Sequence, residues 1–162
     1  MGHAFDDQGR QFDGDGNLRD WWSEYDAAAY GESASTLVKQ FDAFEALPEA
    51  HVNGKLTLGE NIGDLTGIAI SYRAYLNSLG GKEAPVLDGF TGSQQFFIGY
   101  AQVWRSRYRE EAMRQLVLSN PHSPPEFCVN GPLRNSPEFF EAFEVKEGDG
   151  MWLPPGERVK IW

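Results

Sequence analysis

Two carboxylates lie one helical turn apart in the apolar segment LTLGENIGDLTGIAISYRAYL, residues 56–76. Glu60 and Asp64 are four residues apart, so a helix would place them on one face, and they are the first candidates for chemistry. A structural interpretation competes with this one. Thr57 is typical of a helix N-cap with Glu60 as its capping-box partner, and Asp64 would then be a solvated acid near the positive end of the helix dipole. The spacing alone favours the structural interpretation.

Histidine and cysteine supply few other candidates. The chain has three histidines, His3, His51 and His122, and a histidine met singly is more often a surface or hydrogen-bonded residue than a ligand. Cys128 is the single cysteine, which excludes an internal disulfide and a cysteine-based zinc site. A nucleophilic role for Cys128 would need a partner motif, and none is evident.

An acidic stretch near the N-terminus partly matches a calcium-binding loop. Asp13, Asp15, Asn17 and Glu24 occupy positions 1, 3, 5 and 12 of an EF-hand pattern. Position 6 is Leu18, although the sharp turn there requires glycine. We therefore interpret these acids as turn residues.

The elements that would position these side chains are mainly helical, with at most a small β-hairpin. Helices are predicted over 18–40 (loosened near Gly31), over 57–79, over 93–119 with a break near Arg107, and over 136–143. Pro48 and the Asn53–Gly54 pair divide 43–55 into two short runs that fit a hairpin or a loop. Residues 6–20 and the proline-rich segment 120–135 are predicted to be irregular, and 148–162 has no helical period.

Composition restricts the function classes. A chain of 162 residues with 41% hydrophobic and 14% aromatic residues is expected to form one globular domain over 1–162. The net charge of -10 makes nucleic acid and anionic membrane surfaces unlikely partners, because both are negatively charged. The sequence has no apolar run near the roughly 20 residues that span a bilayer, and no signal-peptide pattern.

Several longer segments resemble one family. GHAFDDQGRQFDGDGNLRDWW, VNGKLTLGENIGDLTGI, AQVWRSRYREE, PHSPPEFCVNGPLRNSPEFFEAF and ERVKIW occur here in that order. Together they are similar to the C-terminal half of the catalytic domain of the neprilysin-like zinc metallopeptidases, and the similarity covers nearly all of the chain. The resemblance implies the helical part of a zincin, thermolysin-like catalytic domain.

The resemblance assigns roles to four residues. The family binds one zinc ion through two histidines of an H-E-x-x-H helix and a glutamate of an E-N-x-x-D motif, which is Glu60 here. His3 matches the second histidine. Asp64 would accept the ring N–H of a ligating histidine, and Asp6 resembles a second acid of this kind.

The same resemblance gives a role to His122 and raises a question about Cys128. His122 matches a histidine that hydrogen-bonds the oxyanion of the tetrahedral intermediate, so Asp64 and His122 are the predicted catalytic residues; an exposed loop histidine is the alternative. Cys128 stands where the family usually has an arginine that contacts a substrate carbonyl. A thiol cannot make that bidentate contact, so the substrate-binding residues stay unknown.

The first histidine and the base glutamate of H-E-x-x-H do not occur in the sequence, which starts at the third position of that motif. We therefore expect a fragment of a zinc metalloendopeptidase that hydrolyses peptides, with zinc weak or absent and no activity in the isolated chain. Met1 would be a start codon assigned inside a longer reading frame or an engineered start, and a vector-derived Met-Gly-His is the alternative.

Two expectations concern partners and location. The apolar faces of Trp21–Tyr25 or Ile62–Ile70 would have lost part of their cover, which favours a homo-oligomer. A non-catalytic helical binding module derived from the peptidase is the alternative function. The low cysteine content hints at a bacterial parent, periplasmic or extracellular.

Overall fold

The computed structural model describes residues 2–161, which form a mainly helical structure. Its α-helices are α1 (Glu24–Asp42), α2 (Leu58–Ser78), α3 (Gly92–Val103), α4 (Glu110–Ser119), α5 (Pro125–Leu133) and α6 (Pro137–Phe143). Strands β1 (Glu45–Leu47) and β2 (Ala50–His51) pair as an antiparallel hairpin, and short 3-10 turns cover Gly2–Ala4, Gly9–Gln11 and Pro155–Glu157. The predicted fold class, mainly α with a small hairpin, is confirmed. No helix within residues 2–161 is long and apolar enough to cross a membrane.

Helix α1 begins later than the sequence pattern predicts. Ser23 is its N-cap, and the Ser23 hydroxyl accepts a hydrogen bond from the Asp26 N–H at 3.1 Å. Trp21 and Trp22 therefore precede the helix, because a serine that caps the first turn fixes the start after them. Gly31 lies inside the helix without interrupting it.

The core has two clusters, joined by α2 and α5. In the first, Leu37 and Phe41 of α1 and Ile62 of α2 are fully buried. In the second, Ile68 of α2 packs with Phe97 of α3. Helices α1 and α5 approach closely at Gly131, where a side-chain carbon would overlap the ring of Phe41. These contacts fix α2 from both sides.

The segment 120–135 is not an irregular connection throughout, because α5 occupies 125–133. Its prolines fit the helix. Pro125 is at the first helical position, where a missing N–H costs nothing, and Pro132 lies in the last turn. Since Pro132 has no N–H, the Cys128 carbonyl four residues earlier is left to accept the Tyr100 hydroxyl at 2.7 Å.

Two predictions about helix ends are confirmed. The break near Arg107 is present between α3 and α4, and the Ser136 N-cap of α6 is present too, with its hydroxyl 3.2 Å from the Phe139 N–H. Both of the faces for which loss of cover is predicted contain exposed residues, Tyr25 at 82% and Ile70 at 56%, whereas Ile62 is buried. Homo-oligomer formation stays a prediction.

Candidate metal centre

His3 lies in the N-terminal 3-10 turn and is held by Asp6. The Nδ1 atom of His3 is 2.7 Å from Oδ2 of Asp6. The other carboxylate oxygen of Asp6 accepts the N–H groups of Gln8 at 2.9 Å and Gly9 at 2.8 Å. Because a carboxylate only accepts, Nδ1 of His3 carries the hydrogen, and Nε2 of the neutral ring has a free lone pair.

The electrostatics of this pair follow from its contacts. Burial raises the pKa of Asp6, but the N–H groups of Gly9 and Gln8 and the ring of His3 together hold it below its ordinary value. The hydrogen bond to Asp6, with added attraction from Glu60, raises the pKa of His3 against the effect of partial burial. Asp6 is therefore the ionised partner that orients this ring.

Glu60 is in the first turn of α2, but it is not part of a capping box. The Thr57 hydroxyl donates to the Asn53 carbonyl at 3.1 Å and accepts the Asn61 side-chain amide at 2.9 Å, so it makes no cap with the helix N–H groups. The capping interpretation of Glu60 is wrong, because the hydroxyl of Thr57 is already engaged. The Oε2 atom of Glu60 instead lies 3.5 Å from Nε2 of His3 and 3.4 Å from Nε2 of His122.

The His3 ring lies directly against α2. A methyl group at Gly63 would be 3.2 Å from Cε1 of His3, and one at Gly59 would be 2.8 Å from Oδ1 of Asp7. Both positions are glycine, so the N-terminal segment can pack close to the helix that carries Glu60. The G-E-N-I-G pattern thus has a packing reason that spacing alone did not reveal.

His122 is in the connection between α4 and α5. Its backbone N–H donates to the Asn120 side chain at 2.8 Å, and its ring packs at 5.7 Å from the ring of Trp104. The next residue, Ser123, donates its hydroxyl to Asn61 of α2 at 2.9 Å, and both of these side chains are buried. Asn61 and Ser123 therefore tie the His122 connection to α2. The sequence analysis did not predict this pair. The signal that could have indicated it is Asn61, a polar residue beside Glu60 in an otherwise apolar segment.

Asp64 is not a solvated acid. It lies one turn after Glu60, where burial raises its pKa to about 7, with a smaller opposing effect from the nearby Tyr100 side chain. Its Oδ2 atom is buried and has no hydrogen-bond partner within the described part of the chain. The ring N–H of His3 is directed to Asp6 and not to Asp64. The structure therefore does not pair Asp64 with His3, and the role of Asp64 toward a ligating histidine stays a prediction.

Cys128 is fully buried in α5. Its thiol donates to the Ser123 carbonyl at 3.1 Å, and burial, reinforced by the charges of Asp64 and Glu60, raises its pKa to about 12. A buried thiol that is neutral at physiological pH is a poor nucleophile. This geometry argues against the nucleophilic interpretation.

The acidic stretch at 13–17 forms a turn closed by its own backbone. The Asp13 carboxylate accepts the N–H groups of Asp15 at 3.0 Å and Asn17 at 2.9 Å. One oxygen of Asp13 is thus used inside the turn, as expected for an Asx-type turn. The interpretation of these acids as turn residues agrees with that geometry.

The donor set at His3 and Glu60 fits a zinc ion. With Nδ1 bound to Asp6, the Nε2 lone pair of His3 faces a carboxylate oxygen, so two acceptors oppose each other until a proton or a metal ion lies between them. Imidazole nitrogen and carboxylate oxygen are common zinc ligands. Among residues 2–161 there is no group of three or more His, Cys, Asp or Glu side chains that could hold a metal ion. His3 and Glu60 are the two candidate ligands.

Comparison with known proteins identifies the family. The sequence pattern of Peptidase family M13 matches residues 1–159. Neprilysin-1 of Caenorhabditis elegans is 43% identical over 166 residues, which cover 99% of this chain and 22% of that protein. Endothelin-converting enzyme 1 of Cavia porcellus is 42% identical over 163 residues, covering 99% of this chain and 21% of that protein.

A solved structure agrees with these relatives. The crystal structure of the Mycobacterium tuberculosis zinc metalloprotease in complex with an inhibitor has a TM-score of 0.95 to this chain at 46% identity. The match covers 99% of this chain and 25% of the metalloprotease. The chain therefore belongs to Peptidase family M13, and the neprilysin-like resemblance is confirmed. It spans about a fifth of the length of the curated relatives named above.

Proposed function

We propose that these 162 residues form part of the catalytic domain of a zinc metalloendopeptidase that hydrolyses peptides. The observation that carries the proposal is the opposition of His3 Nε2 and Glu60 Oε2 at 3.5 Å, with His3 oriented by Asp6. Family membership supports it, since M13 relatives include a protein whose name is zinc metalloprotease.

Each side chain has a distinct part in the proposed site. His3 and Glu60 would hold the zinc ion, which when bound supplies Lewis-acid polarisation of the scissile carbonyl and lowers the pKa of water. Asp6 holds the hydrogen of the His3 ring on Nδ1 and leaves Nε2 free to bind. Asp64, one turn from Glu60, would orient a further histidine. His122 lies against the same carboxylate oxygen, where its ring N–H could donate to negative charge that develops on the substrate carbonyl.

The isolated chain should lack peptidase activity. Its sequence contains neither the first histidine nor the glutamate of H-E-x-x-H, so two zinc ligands and no general base of that motif are present. Removal of groups of this kind typically lowers rates by several orders of magnitude. We expect zinc to bind, but more weakly than to a site with three protein ligands.

A chimera tests this function directly. The matching segment of the Mycobacterium tuberculosis metalloprotease is replaced by this chain, with 46% identity and a TM-score of 0.95 supporting the exchange. The chimera should cleave a quenched peptide in a chelator-sensitive reaction, and the chimera with Glu60→Gln should not. His51→Ala, at an exposed histidine of β2, is the matched control and should keep the activity. A folded, zinc-loaded chimera without activity would overturn the proposal.

The alternative is a binding module without catalysis. It would be favoured if the chimera folds and binds zinc but cleaves no peptide. The arrangement of His3, Asp6, Glu60 and His122 in one place favours the peptidase, because a binding module has no need of it.

A further inference from the structure

Arg10 lies beside two aromatic rings, that of Trp22 just before α1 and that of Tyr30 within α1. Its guanidinium carbon is 4.8 Å from the ring centroid of Trp22 and 4.9 Å from that of Tyr30. The two rings meet edge to face at 5.5 Å. The Nε atom of Arg10 is buried and has no hydrogen-bond partner within residues 2–161. A cation over aromatic faces is attracted to them most strongly when it is shielded from water, as this side of Arg10 is.

The backbone at Arg10 closes the turn that orients His3. The Arg10 N–H donates to the Asp6 carbonyl at 3.2 Å, and the adjacent Gly9 N–H donates to the Asp6 carboxylate at 2.8 Å. A side chain at Gly9 would overlap the His3 carbonyl, so the segment is folded tightly on itself. His3, Asp6 and Arg10 therefore belong to one compact turn, and a shift at one end is passed to the other.

This turn is held from two sides. On one side the His3 ring lies against Gly63 of α2. On the other side Arg10 packs against Trp22 and Tyr30, and Tyr30 is itself part of the buried face of α1 together with Leu37. Helix α1 is fixed in the core, so it is a rigid support for the Arg10 side of the turn.

We propose that Arg10 is a positioning residue for the His3–Glu60 zinc site, through its anchorage against the rings of Trp22 and Tyr30. The part of this inference that concerns zinc rests on the proposed function. The part that concerns the orientation of the His3 ring does not. A metal ligand must be held within about 0.5 Å of its productive position. A turn that packs against the protein on one side only does not hold His3 that closely. Loss of the Arg10 anchor loosens the turn, so that the His3–Asp6 hydrogen bond is made only part of the time and Nε2 of His3 moves away from Glu60.

The first experiment measures zinc affinity of the 162-residue chain by calorimetric titration, below the temperature at which any variant unfolds. Arg10→Ala should weaken zinc binding by about tenfold or more, as loss of a residue that supports a metal ligand typically does. Arg10→Lys keeps a cation near the rings and should recover part of the affinity. The matched control is Arg114→Ala, which removes an arginine paired with Glu110 at 2.8 Å on the surface of α4 and should leave the affinity unchanged.

The second experiment needs no metal and observes the ring of His3. Long-range proton–nitrogen NMR spectra at alkaline pH, where the imidazoles are neutral, resolve the tautomer of each of the three histidines. The hydrogen bond to Asp6 predicts the Nδ1–H tautomer for His3 in the parent chain, and Arg10→Ala should convert it to a mixture. His3→Ala assigns the signal.

The outcomes separate positioning from a merely structural role. If Arg10→Ala lowers the melting temperature but leaves both the zinc affinity and the His3 tautomer unchanged, the proposal is overturned. If Arg10→Ala does not fold, Arg10→Lys and Arg10→Gln are compared in the same two measurements, and equal values for all chains overturn it as well. If the unsubstituted chain binds zinc no better than the His3→Ala variant, the proposed zinc role fails. The tautomer measurement alone then decides whether Arg10 positions His3.

Discussion

The Nε2 atom of His3 and the Oε2 atom of Glu60 are separated by 3.5 Å although they come from segments 57 residues apart in the chain. In a tetrahedral zinc site with bonds of about 2.0–2.1 Å, two ligand atoms lie roughly 3.4 Å from each other. The separation fits the proposal that both atoms are ligands of one ion. His122 approaches the same oxygen at 3.4 Å, which places all three side chains around one point.

The first prediction concerns zinc and its dependence on pH. The chain should bind one zinc ion, and His3→Ala or Glu60→Gln should weaken binding by about tenfold or more, because each removes a ligand. Binding must displace the proton that His3 holds, and the pKa of His3 is raised above its ordinary value of 6.5. Zinc affinity should therefore fall as pH decreases through the raised pKa of His3. Calorimetry in buffers of different ionisation enthalpy measures both the affinity and the proton release.

The control for this prediction is His51→Ala. His51 is exposed on β2, and its loss should leave zinc affinity unchanged. Equal zinc affinity for the parent chain and His3→Ala would contradict the assignment of His3 as a ligand.

Sequence patterns predicted the helices better than the contacts between them. The helical spacing of apolar residues predicted α2 and the α3–α4 pair, and Ser136 was predicted as an N-cap. Each of these features depends on residues close in sequence. The helix at 125–133 was missed because four prolines suggested irregular structure, whereas Pro125 is compatible with a helix start. The number of prolines alone does not distinguish a proline at a helix start from one in an irregular segment.

The site was predictable in part. His3, Glu60 and Asp6 were assigned through the resemblance to the family, and the structure brings them together. The buried pair Asn61 and Ser123 was missed, since its 2.9 Å hydrogen bond joins residues 62 positions apart and has no local signature. The state of Asp64 was also beyond a spacing argument, because its raised pKa depends on burial by the tertiary fold.

The second prediction compares two helical glycines. Gly131→Ala should destabilise the chain by about 1–3 kcal/mol or more, because the added methyl overlaps the ring of the fully buried Phe41. Gly99→Ala adds the same methyl where nothing lies within 4 Å and should stabilise the chain by up to about 1 kcal/mol. Urea unfolding followed by circular dichroism measures both. Similar effects of the two substitutions would contradict the close approach of α1 and α5.

The third prediction concerns the reactivity of Cys128. A disulfide reagent should not modify this thiol in the folded chain, since the side chain is fully buried and burial raises its pKa to about 12. Modification should follow unfolding and accelerate with added urea. As a matched control, Leu118→Cys in a Cys128→Ala background places a thiol at a position that is 72% exposed, and it should react at once. Rapid modification of Cys128 without denaturant would place it outside the core.

The fourth prediction concerns the pH dependence of stability at Asp64. Its pKa is raised from 3.8 to about 7 in the folded chain, so between these values the folded state holds a proton that the unfolded state has released. The free energy of unfolding must therefore fall as pH rises from about 4 to 7, by roughly 4 kcal/mol for this group alone. Asn cannot ionise, and it keeps nearly the same shape. Asp64→Asn should thus match the parent chain near pH 4 and become progressively more stable than it toward pH 7 and above.

Urea unfolding of the metal-free unsubstituted chain and variant at several pH values between about 4.5 and 7.5 measures this difference, because the titration of groups that do not interact with Asp64 cancels when the two chains are subtracted. The control is Asp13→Asn. The backbone N–H of Asn17, with further hydrogen bonds in its turn, holds the pKa of Asp13 below 3.8, so its titration lies below the range studied. The difference between Asp13→Asn and the parent should accordingly stay constant over these pH values. A constant difference for Asp64→Asn too would mean that Asp64 is ionised in the folded chain without cost, contrary to its burial beside Glu60.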